Sequence, residues 1–302
     1  MTMRRRTKEA ADGGGRAGAL ALVGLAYVAA IGAAVALGLA IDQLHPIWIA
    51  LLADLLATAV VFGFSVVFDN SSFYDPYWSL VPIAIALFWA FWPAGPVGAP
   101  LRVALVLGLI GLWGLRLTWN WIRGWSGLDH EDWRYVDIRR KTGRWYWPAS
   151  FAGIHLFPTL MVFGSMISAW PALTTPRPVG WLDGLAAAIT LGAILVELTA
   201  DRQLRRFRRS QPPPEAVLEH GLWRWSRHPN YFGEIAFWWG LYLFALAADP
   251  GWWPAVAGPL SMTLMFVFIS LPMIDRRMQA RRPGYGERLR RVSAIVPWPP
   301  RA

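Results

Sequence analysis

A chain of 302 residues that is 55% hydrophobic, carries 20 tryptophans and has a mean hydropathy of +0.35 is too apolar for a soluble domain built around one core. Cysteine is absent, which excludes disulfides and thiolate metal sites. The histidines (His45, His130, His155, His220, His228) show no metal-ligand spacing, so no metal is expected. A net charge of +10 would suggest nucleic acid in a soluble protein. In an integral membrane protein it reads as a bias of Lys and Arg toward the cytosolic loops, with no nucleic-acid partner.

The first residues, 1–16, hold Arg4-Arg5-Arg6 and Gly13-Gly14-Gly15 and are expected to be a disordered, topology-setting tail. The apolar run after Arg16 is about 25 residues long, enough for a first span and unlike a cleaved signal. Apolar segments then follow near 17–41, 47–68, 77–93, 100–122, 148–170, 180–200, 231–248 and 252–274. Short turns join them, such as Asp42-Gln43-Leu44-His45-Pro46 and Pro93-Ala94-Gly95-Pro96. With the N-terminus inside, 26 of the 29 basic residues fall on one side, in 1–16, 123–147, 201–230 and the stretch after 274. An all-α bundle of about eight spans, with seven as the alternative count and both termini cytosolic, satisfies that asymmetry. The last, Trp-rich pair is the one that could form a hairpin crossing incompletely. The residues 17–302 read as a single membrane domain, because no polar stretch is long enough for a separate soluble one.

Ionisable groups at membrane depth are expensive and point to function. Arg116, Asn120 and Arg123 are spaced i, i+4 and i+7 on the fourth segment and share a face. Glu197, Asp201, Arg205 and Arg208 fall within an arc of about 80° at the end of the sixth. Carboxylates accept from ribose hydroxyls, and guanidinium forks donate to phosphates, so that face suits a phosphorylated nucleotide. Ordinary Glu-to-Arg helix pairing is the competing account. The loop Phe68 to Trp78 has no Lys or Arg, which suggests that it is tucked into the bundle, where Asp69, Asn70, Tyr74 and Asp75 would line a cavity. A plain Asn/Ser/Asp/Pro turn fits it equally. The loop Asp129-His130-Glu131-Asp132-Trp133-Arg134-Tyr135 is expected to fold back over the cytosolic mouth. Asp54 is a weaker candidate, and His155 is expected to satisfy a local carbonyl.

The densest polar stretch is Arg227-His228-Pro229-Asn230-Tyr231, where the chain enters the membrane again, with Glu234 just inside. Pro229 lacks an N–H and disfavours helix at His228, so it suits the first turn of a helix. Free N–H groups there, beside arginines, form a natural phosphate seat. A basic, aromatic-belted membrane entry accounts for Arg224, Arg227 and the tryptophans. It does not account for His228, Asn230 and Glu234 together.

These residues carry a resemblance. Trp223-Arg224-Trp225-Ser226-Arg227-His228-Pro229-Asn230-Tyr231-Phe232-Gly233-Glu234 looks like the signature of the steroid 5-alpha-reductase-like membrane family, closest to a bacterial branch described as a domain of unknown function. The likeness runs from about Ser65 to Trp298. It includes Asp75-Pro76-Tyr77-Trp78, Arg116-Leu117-Thr118-Trp119-Asn120, Glu131-Asp132-Trp133-Arg134-Tyr135, Asp201-Arg202-Gln203 and a tail from Arg276-Arg277 through Tyr285 to Pro297-Trp298.

The resemblance implies NADPH-dependent reduction of a carbon–carbon double bond in a lipid or steroid-like enone, with the cofactor held within about 113–298. Carried over by matched position, Glu197 and Asp201 would face cofactor hydroxyls and amide, and Arg205 and Arg208 would take phosphates. Asn230, Tyr231 and Glu234 would hold the nicotinamide and its ribose, and Arg276 or Arg277 would close the site. Arg116, Asn120, Arg227 and His228 complete the expected cofactor set. The steroid enzymes grip the substrate ketone with a Gln-Glu pair and a Tyr. Here no Gln-Glu pair occurs in the second segment, and the Tyr position falls on Trp113. Tyr74 and Asp75 are the replacement hydrogen-bond donors, Asp75 acting while protonated, as burial permits.

Two other readings remain. An isoprenylcysteine-type methyltransferase uses a similar Arg-His-Pro-x-Tyr segment for S-adenosylmethionine. A non-catalytic lipid-binding protein would need no ketone grip. High Ala, Arg, Trp and Gly usage suggests a GC-rich bacterial genome and hence a plasma (inner) membrane.

Overall fold

The structure is a computed structural model, and it describes residues 15–92 and 97–301. The expected disordered tail therefore lies almost wholly outside the described residues, as does the Pro93–Pro96 turn. Among the described residues the fold is all helical, without strands, and seven helices are long and apolar enough to cross a membrane. The chain is thus an integral membrane protein of the expected class. The helices, in order, are α1 (Gly15–Ala40), α2 (Pro46–Val67), α3 (Tyr77–Ala90), α4 (Pro100–Gly124), the composite α5 (Trp133–Met166), α6 (Ala169–Thr174), α7 (Trp181–Arg209), α8 (Pro229–Ala248), the composite α9 (Pro250–Arg281) and α10 (Tyr285–Arg291). Every apolar segment read from the sequence is a helix. The difference in span count comes from α3, whose 14 residues rise only about 21 Å against a hydrocarbon core of about 30 Å. The last pair does not fall short: α8 has 20 residues and α9 has 32.

The chain divides into two compact units. The first, residues 1–95 and 110–164, contains α1, α2, α3, the end of α4 and α5. Ala19, Val23, Ala26 and Ala30 repeat at alternating steps of four and three along α1 and are buried against Ala57 and Val61 of α2. Lipid is as apolar as leucine, so small residues that allow close approach, rather than bulk hydrophobicity, bring two membrane helices together. The same buried core takes in Phe73, Tyr74, Tyr77, Trp125, Leu128, Tyr135 and Ile154. Helix α2 starts cleanly: His45 accepts from the Ile47 amide at 3.2 Å and Pro46 occupies the first turn.

The 68–76 loop is tucked in, as its lack of Lys and Arg predicts. Asn70, Ser71, Ser72 and Tyr74 are all buried, whereas Asp69 is half exposed. Asn70 donates to the Leu128 and His130 carbonyls (2.8 and 3.0 Å) and accepts from the Ser72 amide (2.8 Å), while the Ser71 amide donates to Glu131 at 2.8 Å. The 129–135 loop is thereby folded onto it. Asp69 stands at φ 53° and takes a 2.8 Å hydrogen bond from Arg139, whose guanidinium lies 3.9 Å from the Tyr146 ring centroid. His155 meets the Ser150 carbonyl through Nδ1 at 3.0 Å, the local role expected of it.

The second unit, residues 96–109 and 165–302, contains the start of α4 and helices α6 to α10. Its N-terminal end is fixed by a fully buried pair in which Arg102 donates to both Asp183 oxygens (2.6 and 3.0 Å) and to the Arg177 and Pro178 carbonyls. Asp183 also accepts from the Gly180 amide, capping α7. Helices α7 and α8 run antiparallel through two glycine contacts seven residues apart. A Cβ on Gly233 would meet the Ala193 carbonyl and the Glu197 Cβ at 2.8 Å, and one on Gly240 would collide with Thr190. These contacts make a prediction. Gly233→Ala and Gly240→Ala should each destabilise the detergent-solubilised protein by about 1–3 kcal/mol through overpacking. Gly192→Ala, where the space is open, should be neutral or slightly stabilising. Thermal unfolding followed by tryptophan fluorescence measures all three.

Candidate functional site

In the second unit the α7–α8 crossing sets the positions of the acids. Gly233 lies on the backbone of Glu197, so the buried Glu197 of α7 is brought against the first turns of α8, which also carry the buried Glu234. Glu234 accepts a 2.9 Å hydrogen bond from the indole of Trp238. Pro229 is in the first turn of α8 and His228 is its N-cap, as the Pro-in-first-turn argument expects. The Asn230 Oδ1 atom beside it is buried with no hydrogen-bond partner among the described residues.

The segment before α8 is pinned to the end of α7. Trp223 Nε1 donates to the Ala200 carbonyl at 3.0 Å, and Gln203 Oε1 accepts from the Leu222 amide at 3.0 Å. Gly221 makes this possible, with φ of +61° and the Gln203 carboxamide lying where a Cβ would sit. On α7 itself Asp201 and Arg205 are partly buried and Arg208 is exposed, with Asp201 and Arg282 the charges that act on it.

A carboxylate absent from the expected site organises the other side. Asp275, on α9, receives Arg227 at 2.8 Å on one oxygen, and His228 Nε2 (3.0 Å) and Tyr285 OH (2.8 Å) on the other. Arg227 also donates to the Val292 carbonyl at 2.8 Å, and the His228 ring stacks on Tyr231 with centroids 5.2 Å apart. The tail completes the arrangement. The Arg227 and His228 amides donate to the Ser293 and Ala294 carbonyls, Ser226 Oγ donates to Ile295, and the Trp298 amide returns to Trp225. Arg288 binds the Trp223 carbonyl and pairs with Glu219 at 3.3 Å. Desolvation, reinforced by Asp275, holds the Tyr285 phenol well above its usual range.

Of the residues expected at a cofactor, Glu197, Asp201, Arg205, Arg208, Arg227, His228, Asn230, Tyr231, Glu234, Arg276 and Arg277 thus belong to one unit. Arg276 is exposed and Arg277 partly buried, directly after Asp275. Arg116, which is buried, and Asn120 lie one turn from each other on α4, in the first unit. The signal for Asp275 was available: an acid ending the last apolar run obeys the same rule that singled out Glu197.

The expected substrate donors are in the first unit and are both engaged. Tyr74 OH contacts Thr159 Oγ1 at 2.8 Å. Asp75 accepts from Tyr135 OH at 2.5 Å and from the indole of Trp121 at 3.3 Å. Burial pushes the Asp75 carboxyl from its ordinary 3.8 up to about 6, against the opposing hydrogen bond from Tyr135. Asp75 is therefore held closer to its protonated, hydrogen-bond-donating form than an ordinary carboxyl. Near Asp75 the sequence reading also missed a second acid–phenol contact: Tyr77 OH donates to Asp54 Oδ1 at 2.7 Å.

Two outcomes are expected. Removing the carboxylate in Asp275→Ala takes the shared acceptor from Arg227, His228 and Tyr285 and should lower stability by about 2–4 kcal/mol, read as a fall in the thermal midpoint. For Asp75 the folded state favours the protonated form, so its contribution is full below about pH 4 and lost as pH rises through about 6. Asp75→Asn should therefore gain on the wild type between pH 4 and 6 and run parallel to it above, in melting curves taken across that range.

No solved structure matches the chain. An uncharacterized protein of Schizosaccharomyces pombe is 28% identical over 227 residues, covering 68% of this chain and 66% of the relative, so the match spans just under two thirds of that protein's length. Residues 61–292 match the family described as protein of unknown function (DUF1295), a stretch that takes in α3 to α10 almost whole. The chain belongs to the DUF1295 family.

Proposed function

We propose that the protein is an NADPH-dependent reductase that reduces the double bond of a lipid or steroid-like enone within the membrane. The observation that carries this reading is the buried, unpartnered Asn230 Oδ1 in the first turn of α8, on the helix whose Gly233 rests on Glu197. An unsatisfied buried acceptor costs about 1–3 kcal/mol and is kept where a ligand supplies the donor. A carboxamide or ribose hydroxyl is such a donor, and the buried carboxylates Glu197 and Glu234 add acceptors for the same chemistry. This set of acceptors fits the carboxamide and ribose hydroxyls of a nicotinamide nucleotide. The resemblance of the Arg227-to-Glu234 stretch to the steroid 5-alpha-reductase-like family supports the same assignment.

In this reading Asn230, Tyr231 and Glu234 hold the nicotinamide end, and Glu197 and Asp201 take hydroxyls. Arg205 and Arg208 take phosphates, with Arg276 or Arg277 closing over them. Arg227 and His228, held by Asp275, fix the start of α8. Arg116 and Asn120 join the set by the resemblance. When bound, the nicotinamide supplies the hydride. Tyr74 donates a hydrogen bond to the substrate oxygen on which charge develops, and Asp75 orients the Tyr135 phenol; exclusion of water strengthens both contacts.

The basic stretches 123–147, 201–230 and the one after 274 are placed on the cytosolic face, where NADPH is available. Keeping both termini there requires the short α3 to cross a locally thinned bilayer as an eighth span. We assign the protein to a bacterial plasma (inner) membrane.

Asn230→Ala combined with Glu234→Ala should abolish NADPH binding, measured by nucleotide fluorescence, and leave the far-UV helix signal intact. Wild-type binding by that variant would refute the assignment. Saturating NADPH at about 100 times its Kd should stabilise the wild type by about 2.7 kcal/mol. Stabilisation by S-adenosylmethionine instead would favour a methyltransferase, and stabilisation by neither would favour a lipid-binding protein.

A further inference from the structure

The first unit contains a run of buried hydroxyls that packing alone does not require. Tyr77 OH donates to Asp54 Oδ1 at 2.7 Å; Thr58 Oγ1 donates to Tyr77 OH at 3.4 Å; Thr58 and Thr159 hydroxyls meet at 3.0 Å; Thr159 meets Tyr74 OH at 2.8 Å. All five side chains are buried, at exposures of 5% or less. They come from four separate elements: α2 supplies Asp54 and Thr58, the following loop Tyr74, α3 Tyr77 and α5 Thr159. Asp54 and Thr58 are one turn apart on the same face of α2. A carboxyl inside a membrane helix is a costly choice that marks a functional group. The sequence ranks Asp54 only as a weaker candidate.

We propose that Asp54, Tyr77, Thr58 and Thr159 form a proton-transfer chain that reloads the phenol of Tyr74. The proposal rests on the reductase reading, in which addition of a hydride to the enone β-carbon leaves an enolate needing one proton. The Tyr74 O–H bond breaks as its proton passes to the enolate oxygen, and the resulting enol becomes the saturated ketone by taking a proton from water at the α-carbon and releasing the oxygen-bound proton to water. At rest Tyr77 donates to Asp54, Thr58 to Tyr77 and Thr159 to the His155 carbonyl. The relay therefore starts from a protonated Asp54 with the hydroxyls turned toward Tyr74. Thr159 then gives its proton to the Tyr74 oxygen, Thr58 gives its own to Thr159, and Tyr77 to Thr58. The Asp54 carboxyl supplies the last proton to Tyr77 and is left as a carboxylate, to be reprotonated from water. Each hydroxyl accepts one proton and releases one, so only Asp54 changes charge over the sequence. Hydrogen-bonded chains of this kind polarise along their length, which couples their ends. Tyr74 touches the substrate in this scheme, and the other four residues act through it.

Infrared difference spectroscopy of the detergent-solubilised full chain tests the connection without turnover. The Asp54 carboxyl or carboxylate band is identified by its loss in Asp54→Asn. It should shift in Tyr77→Phe and also in Thr159→Val, three hydroxyls away, while remaining in place in the control Thr199→Val, whose hydroxyl donates to the Leu195 carbonyl on its own helix. An Asp54 band unmoved by Thr159→Val overturns the chain. With NADPH and a 4-en-3-one steroid as probe, the wild-type rate should fall in D2O with a curved dependence on deuterium fraction. Thr159→Val should slow turnover at least tenfold with NADPH affinity unchanged, and Asp54→Glu should recover more rate than Asp54→Asn. Loss of NADPH binding in the wild type would instead defeat the reductase reading, with the infrared coupling still deciding whether the hydroxyls are linked.

Discussion

The contact between Gly233 of α8 and the backbone of Glu197 on α7 is the constraint on which the candidate cofactor site depends. With no side chain at Gly233, two helices approach closely enough to place one buried acid beside the turn that contains another. A methyl group there would meet the Ala193 carbonyl and Glu197 itself. Gly240 repeats the device against Thr190 two turns further on. Close approach of this type is what membrane helices use in place of a hydrophobic driving force. In this unit it also aligns Glu197, Asn230 and Glu234.

Around that crossing, polar groups are satisfied by one another in a hierarchy. Asp275 takes a guanidinium, an imidazole and a phenol, and the tail from Val292 to Trp298 bonds to the backbone of 225–228. Gln203 and Trp223 tie the same segment to α7. The head of α8 is consequently held from two directions before any ligand arrives, the preorganisation that binding sites need. Asn230 Oδ1 is a buried acceptor left without a hydrogen-bond partner among the described residues in the first turn of that held helix. The first unit follows the same logic with hydroxyls: Tyr74, Tyr77, Thr58 and Thr159 satisfy each other inside an apolar bundle and end at Asp54.

Much of this was legible in the chain itself, for identifiable reasons. Apolar length marks a membrane helix strongly, and each segment read from the sequence is helical; only α3 departs, because its apolar run is broken by the Pro-rich stretch after Ala90. The tucked 68–76 loop was legible from its missing Lys and Arg. The start of α8 was legible from Pro229. What the sequence did not disclose were pairings across long separations. Asp275 meets His228 47 residues away, and Asp54 meets Tyr77 23 residues away, through helix crossings that no local pattern encodes. Arg116 and Asn120 belong to the first unit and the other expected cofactor residues to the second.

The central claim is that the end of α7 and the start of α8 hold a phosphorylated nicotinamide nucleotide. A cryo-electron microscopy structure of the protein saturated with NADPH tests it most directly. The account predicts density for the nucleotide against Asn230, Glu234 and Glu197, with its phosphates at Arg205 and Arg208. Density elsewhere, or an unliganded map at saturating NADPH with Asn230 still unpaired, would contradict it.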